Sequence, residues 1–471
     1  MSTRRTKIVC TIGPASSSPE MLRRLMVTGM DVARLNLSHG NHEEHRQNIH
    51  NLRRLSRELD REIAILLDLA GPKIRLGEIS SQERTLKPGE VVNFFSGQKA
   101  NGDDLPVNYP YLFQDVNIED RILLADGRVE LSVTEKRDQK IYCRVIVGGV
   151  ITSHKGLNLP TSELRIPAFT EKDRRDLEFG LKEGVDIVAL SFVRSKKDLA
   201  PLREILDGID RPPLLMAKIE KPEAVLNLEE ILSSVEGVMV ARGDLGVEMP
   251  LEEVPVIQKR IIEEARRVGR VVITATQMLH SMLNSPRPSR AEASDVANAV
   301  MDGTDAVMLS DETAVGHYPV EAVRVLDNLC RATEPHLDGE RFLHEDSSKL
   351  IPLTEAAMSR AATWLARDVE PAVIVAATTS GSTARLIARY RPPQPVIGFT
   401  SELNTCRQLC LSWGVVPALA PACTSVDQMF DQVEEWLKKN GLAGPGDRII
   451  VTAGIPLSVP GTTNLLKIIE L

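Results

Sequence analysis

From residue 6 onward, short apolar runs rich in β-branched residues alternate with stretches whose apolar residues recur every three or four positions. TKIVCTIG (6–13) precedes a helical stretch from Pro19 to Val27, DVARLNLS (31–38) precedes a longer one reaching Leu59, and IAILLDL (63–69) opens a third unit. Brief apolar runs bounded by turn signals read as buried strands, and the 3.6-residue period reads as amphipathic helix. Between about Gly71 and Pro167 the helical period vanishes. KPGEVVNFF, RILLADGRVELSV and IYCRVIVGGV are strand-like there, broken by Pro-Gly, Asp-Gly and Gly-Gly turn signals. This segment reads as an all-β insertion.

At Phe169 the alternation resumes. VDIVALSFV (185–193), PLLMAKIE (213–220), GVMVARGDLG (237–246), VVITATQ (271–277) and DAVMLSDETA (305–314) each read as a buried parallel strand followed by a helical segment. Three units before the insertion and five after it make eight, the number that closes a (β/α)8 TIM barrel. LDGERFLHEDSSKLIP (337–352) reads as a polar linker. Beyond it AVIVAATT, QPVIGFT and RIIVTAG alternate with helices such as VDQMFDQVEEWLKK, a smaller C-terminal α/β domain. The expected divisions are 1–70 and 168–340 for the barrel, 71–167 for an inserted β-barrel lid and 341–471 for a C-terminal α/β regulatory domain.

Composition narrows the function. The 471 residues suggest roughly three domains at ~150 residues each. A net charge of −8 and only 4% aromatic residues argue against nucleic acid and anionic membrane as partners. No apolar run approaches the ~18 residues of a membrane span. The apolar stretch near the N-terminus is too short for a signal peptide. The six cysteines are scattered with no Cys-x-x-Cys pair, as expected of reduced thiols in a cytoplasmic protein.

Functional side chains of a parallel barrel stand at the C-terminal ends of its strands. Those ends are unusually polar here: Arg34, Asn36 and Ser38; Asp68; Ser191 and Arg194; Lys218 and Glu220; Arg242 and Asp244; Thr274 and Thr276; Ser310 and Glu312. The strand period of two would point each set one way. A mouth of mixed basic and acidic groups suits an anionic substrate held through a metal. Lys218 ends an apolar run, so its ammonium is expected to be partly desolvated; a structural ion pair with Glu220 is the competing reading. Glu220 and Asp244 could share a divalent ion, since magnesium favours two carboxylates completed by substrate oxygens and water. Taken by itself, Asp244 in Arg-Gly-Asp-Leu-Gly reads more readily as an N-cap or turn residue.

His39, His42 and His45 are spaced like a transition-metal face, but a solvated helix face suits their Glu- and Asn-rich surroundings better. Cys406, Cys410, Met278 and Met282 read as core residues. In the C-terminal domain, Thr378, Thr379, Ser380, Gly381, Ser382 and Thr383 lie between a strand and a helix. Their hydroxyls and backbone N–H groups could bind an anion or simply cap the helix. SVPGTTN (458–464) is a second loop of similar composition.

Together these residues resemble the pyruvate kinase family, in a bacterial form. TKIVCTIGPAS, GMDVARLNLSHG, LDLAGPKIR, LLMAKIE, VMVARGDLGVEMP, ITATQMLHSM, PRPSRAEASDVANAV and MLSDETAVGHYP match its barrel motifs in order along essentially the whole chain. The resemblance implies phosphoryl transfer from phosphoenolpyruvate to ADP, the last step of glycolysis. It implies Glu220 and Asp244 as ligands of magnesium or manganese, Lys218 as the charge-neutralising lysine and Arg34 as the phosphate holder. Gly243, Asp244 and Thr276 would bind the substrate carboxylate, with Thr276 and Ser310 on the proton path to the enolate carbon. Asn36, His39, Arg75 and Lys155 would face the nucleotide, and the β insertion would close as a lid. A phosphorylated small-molecule effector at Thr378–Thr383 and a homotetramer complete the picture.

Two departures stand out. Pro160-Thr161-Ser162 replaces the family's usual Pro-Gly after HKGLNLP, so the lid hinge differs. Leu69 and Lys73 stand where many members have Thr and Glu, beside a monovalent-cation pocket that would comprise Asn36, Ser38, Asp68 and Leu69. That departure puts potassium dependence in question, with Lys73 supplying the charge instead. Two other readings compete: a magnesium-dependent barrel lyase or aldolase acting on pyruvate or phosphoenolpyruvate, which needs no nucleotide lid, and a non-catalytic sensor of a phosphorylated metabolite.

Overall fold

A computed structural model describes residues 4–344, 350–457, 461 and 463–471. Eight strands close a parallel barrel: β1 (Lys7–Thr11), β2 (Val32–Asn36), β3 (Ala64–Leu69), β4 (Ile187–Leu190), β5 (Leu214–Ile219), β6 (Gly237–Ala241), β7 (Val271–Ala275) and β8 (Ala306–Leu309). Each pairs with its sequence neighbours, and β8 returns to β1 through registers such as Val9 with Met308. Alternation along the strands builds two cores. Val9, Leu66, Ala189, Met216, Met239, Ile273 and Met308 fill the interior, while Ile8, Leu67, Val188, Val240 and Val272 face the surrounding helices.

The helices begin where their sequences supply caps. Asn41 caps α1 (His42–Glu58) with a reciprocal bond to Glu44, Thr170 with Asp173 caps α2 (Glu171–Glu183), and Ser289 with Glu292 caps α3 (Arg290–Asp302). Gly184 and Gly303 end the last two in the left-handed conformation.

The insertion after β3 forms a six-stranded sheet, a two-stranded ribbon (Gly149–Thr152 with Glu83–Leu86) and one short helix, Leu112–Asp115. The sheet does not close into the single ring that a β-barrel lid would form. Its two longest strands, Val129–Arg137 and Lys140–Val147, slip register at two bulges, and Leu157–Asn158 and Leu105–Val107 remain edges. Its apolar side chains form a core of their own around Phe94, Ile122, Leu131 and Ile141.

The C-terminal domain packs helices on a five-stranded sheet in the order Val415–Leu419, Val396–Thr400, Val373–Ala377, Arg448–Gly454, Thr463–Glu470, the last strand antiparallel. The stretch read as a linker is less irregular than its polarity suggested. Gly339–Leu343 is helical with Phe342 and Leu343 buried, and Glu345–Lys349 lie outside the described residues. Cys406 and Cys410 are buried, and Cys410 and Leu411 join the inner barrel core from the C-terminal side. Among the described residues no helix is long and apolar enough to cross a membrane.

Candidate active site

The C-terminal ends of β2, β3 and β5 bring Arg34, Asp68, Lys218 and Glu220 into one buried network. Arg34 donates to Asp68 Oδ2 through Nε (2.8 Å) and Nη2 (2.5 Å), and to Thr11 Oγ1 through Nη1 (2.9 Å). Lys218 Nζ pairs with Glu220 Oε1 at 2.7 Å, lies 3.4 Å from Asp68 Oδ1 and donates to Ser191 Oγ at 2.9 Å. Ser191 in turn donates to the Leu69 carbonyl at 2.8 Å. Glu220 Oε2 accepts the Phe192 N–H at 2.8 Å, and Phe192 holds φ at 58° to present it.

Charge explains the protonation states. Burial disfavours the Lys218 ammonium, but Asp68, Glu220 and Asp244 outweigh it and hold the group above the ordinary lysine value. Burial likewise opposes the Asp68 carboxylate, which Lys218 and Arg34 keep below the usual range. Asp244 differs. Its recessed position in the cleft and the Glu220 charge push it up to about 6, against Lys218 and Lys73. Among the described residues no hydrogen bond or ion pair reaches the Asp244 carboxylate. Two neighbouring carboxylates that raise each other's energy, one of them without a hydrogen-bond partner, are a donor set that fits a divalent cation.

The remaining predicted residues divide. Thr276, at φ 68° just past β7, donates to the Ala275 carbonyl and accepts the Gly243 N–H at 2.8 Å, so that N–H is engaged. Ser310 Oγ is buried without a hydrogen-bond partner, while its N–H donates to Glu312 Oε2 at 2.8 Å. A cleft of about 420 Å³ lies between barrel mouth and insertion. His39, Lys73, Arg75, Lys155, Phe192 and Asp244 line it. Asn36 and Ser38 form a turn in which Asn36 Oδ1 accepts the Ser38 N–H. Leu69 does not face the pocket: alternation sends its side chain into the outer core, opposite Asp68.

Two expectations at the strand ends are corrected because the strands stop early. β6 gives way at Arg242 to a short helix (Arg242–Glu248), so Arg242 turns aside to bond Asp295 Oδ1 (2.8 Å) and the Thr276 carbonyl (2.8 Å). Glu312 sits in a short helix after β8 and braces the Leu279 and Ser310 N–H groups. Arg194 does line the cleft, where it also binds the Leu164 and Ile166 carbonyls and Asp198. The histidines diverge. His42 stacks on Phe179 and bonds Asp176, and His45 is buried against the His39 carbonyl, correcting the solvated-face reading.

Sequence reasoning gave no role to Thr11, Phe192 or the buried Lys221–Glu248 pair (2.7 Å), which Asn158 of the insertion joins at 2.8 Å. Lys221 directly follows Glu220, and a second charge there was the available signal.

In the C-terminal domain, Thr378, Thr379, Ser380, Ser382 and Thr383 line a separate pocket with Glu355, Ser401 and Cys423. Thr378 Oγ1 accepts the Gly381 N–H, and Thr383 bonds Thr463. Of the second loop, Ser458, Val459, Pro460 and Thr462 lie outside the described residues.

A closed (β/α)8 barrel with a β insertion after its third strand and this charged mouth defines a barrel enzyme built for anionic substrates. Residues 3–323 match the family model for the pyruvate kinase barrel domain, and residues 356–469 match the model for its alpha/beta domain. The pyruvate kinase of Geobacillus stearothermophilus is 45% identical over 469 residues, covering 99% of this chain and 80% of its own. That of Clostridium perfringens (strain 13 / Type A) is 43% identical over 469 residues, covering 98% of this chain and 99% of its own. A crystal structure of a pyruvate kinase from Cryptosporidium parvum superposes with a TM-score of 0.93 at 36% identity, covering 99% of this chain and 96% of that one. The chain belongs to the pyruvate kinase family, a family of phosphotransferases. The lyase reading is not favoured.

Proposed function

We propose that this chain moves the phosphoryl group of phosphoenolpyruvate to ADP. The enol phosphate P–O bond breaks, a bond forms to the terminal phosphate oxygen of ADP, and the enolate left behind takes a proton at carbon to give pyruvate. The observation that carries this reading is Lys218, a buried ammonium between Asp68 and Glu220 beside Asp244. A fixed cation suits a transition state whose charge is spread over three phosphoryl oxygens.

Arg34, held rigid by Asp68 and Thr11, holds the substrate phosphate. Lys218 neutralises the phosphoryl group in flight. Glu220 and Asp244 fit a magnesium or manganese ion, which when bound supplies Lewis-acid polarisation of substrate oxygens. Gly243, Asp244 and Thr276 receive the carboxylate once the Thr276–Gly243 bond is exchanged for substrate. The partnerless Ser310 hydroxyl, with Thr276, relays the proton. His39, Arg75 and Lys155 on the cleft wall meet the nucleotide phosphates, joined by Asn36 from the end of β2. The insertion then serves as a lid that excludes water.

Three finer points belong to this reading. Lys73 takes the place of potassium, so the enzyme needs the divalent metal only. A phosphorylated metabolite at Thr378–Thr383 activates it, in a pocket that Glu355 also lines, its Oε2 accepting from Ser382 Oγ at 3.3 Å. The working form is a cytoplasmic homotetramer. A coupled assay tests the core claim: pyruvate should form from phosphoenolpyruvate only when both ADP and magnesium are present. Pyruvate formation independent of ADP would overturn it.

A further inference from the structure

The barrel's N-terminal end meets the C-terminal domain at a seam crowded with guanidinium groups. Arg270 just precedes β7. Arg385 lies on the short helix Ser382–Ala388, and Arg389 and Arg391 follow it. These four, with Arg266, surround a cavity of about 10 Å³, roughly the room one water-sized sphere needs. Asp305 is the single carboxylate among the residues that line it.

The hydrogen bonds here supply geometry but little charge. Arg270 Nε donates to the Leu232 carbonyl, Arg385 Nη2 to the Ser380 carbonyl, and Arg391 to the Ala388 (2.7 Å) and Gly303 (2.6 Å) carbonyls. Asp305 pairs with Arg391 at 3.1 Å, while also accepting the Val272 and Trp413 N–H groups. Glu236 lies close enough to favour charge on Arg270 and Arg385, but it is paired with Arg203 at 2.9 Å and does not line the cavity. Donors remain spare. Ser412 is 1% exposed and its Oγ lacks a partner, as do Arg391 Nε and Arg385 Nη1.

We propose that this seam binds a buried monatomic anion of chloride or bromide size, held by Ser412 Oγ and the surrounding guanidinium groups, that ties the C-terminal domain to the barrel. A water molecule would fill the space and accept hydrogen bonds, yet would add no negative charge among the guanidinium groups, where Asp305 is the single lining carboxylate. Guanidinium does not relieve such crowding by losing its proton near neutrality. Burial pushes Arg385 down only to about 10, leaving it charged. The size of the cavity disfavours phosphate and carboxylates, which need several times this volume.

Thermal unfolding at fixed ionic strength tests the proposal, with sodium gluconate compared against sodium chloride. Chloride should raise Tm by about 2 °C or more. Arg385→Met, which removes one charge at similar length and lies outside the catalytic machinery, should cut that increment at least in half. Independently, wild-type crystals soaked in sodium bromide should show an anomalous peak in contact with Ser412 Oγ. Equal Tm in the two salts, an increment unchanged in Arg385→Met, or no bromide peak at this seam would each overturn the proposal.

Discussion

Lys218 is buried yet charged because the acids around it more than compensate its lost hydration. Removing the charge while keeping the length should therefore strike transfer rather than folding. For Lys218→Met we predict a kcat lowered ~10²-fold or more, with metal-dependent solvent exchange of the pyruvate methyl hydrogens retained. Near-normal ATP synthesis by this variant would make Lys218 a structural residue. Lys73 carries the second residue-scale prediction. Burial in the cleft, then Lys218 and Arg75, hold its ammonium below the ordinary value, while Asp244 and Asp68 favour its charge. An added potassium ion at ~4 Å would meet a repulsion of ~4 kcal/mol at intermediate dielectric. Turnover in tetramethylammonium buffer should be nearly full, and strong stimulation by added potassium would show that Lys73 does not replace the ion. Lys218 was legible in the sequence because a charge at the end of an apolar strand is conspicuous, and Lys73 because it departs from the family's usual glutamate. Ser191 and Thr11 acquire their roles only from neighbours on other strands, 27 and 23 positions away, and no local pattern shows that.

At the scale of elements, the eight strands were legible from their apolar runs, but their ends were not. A period of two extrapolated past Ala241 and Leu309 placed Arg242 and Glu312 in the mouth, whereas the chain had already turned into short helices there. The opposite end of the barrel depends on a different charge cluster. Arg4 bonds Asp31 (2.7 Å) at the start of β2 and Asp327 (2.8 Å) on the helix Pro319–Thr333, pinning the first strand to its neighbours. Burial pushes Asp31 up, and Arg4, Lys7 and Arg61 together pull it further down, below the usual carboxylate range. A depressed carboxylate contributes stability that is present above its unfolded pKa of ~3.9 and lost as pH falls through the lower folded value. Asp31→Asn should accordingly cost about 3–5 kcal/mol at pH 7, by denaturant unfolding. The gap to wild type should narrow below about pH 4; a gap constant down to pH 2 would contradict the pairing.

For the whole molecule, the order of barrel, insertion, barrel and α/β domain was legible because the helical period stops at the insertion and resumes after it, and a polar stretch precedes the last α/β unit. Contacts between regions were not, since they join segments hundreds of positions apart. Examples are Cys410 and Leu411 completing the barrel core, and Lys7 Nζ donating to the Val415 carbonyl at 2.8 Å. Such contacts join the C-terminal domain, which carries the Thr378–Thr383 pocket, to the barrel. An effector there should shift substrate affinity by ~1–3 kcal/mol of coupling. Ser382→Glu with Thr383→Glu should abolish activation by a sugar phosphate or nucleoside monophosphate while leaving saturated turnover intact. An unchanged response in that variant would remove the pocket from consideration. The central claim concerns the fate of one phosphorus atom, so phosphorus-31 NMR of phosphoenolpyruvate, ADP and magnesium with the wild-type protein tests it most directly. The account predicts that the phosphoenolpyruvate resonance is replaced by the γ-phosphate of ATP. Loss of phosphoenolpyruvate to inorganic phosphate with ADP unchanged would contradict it.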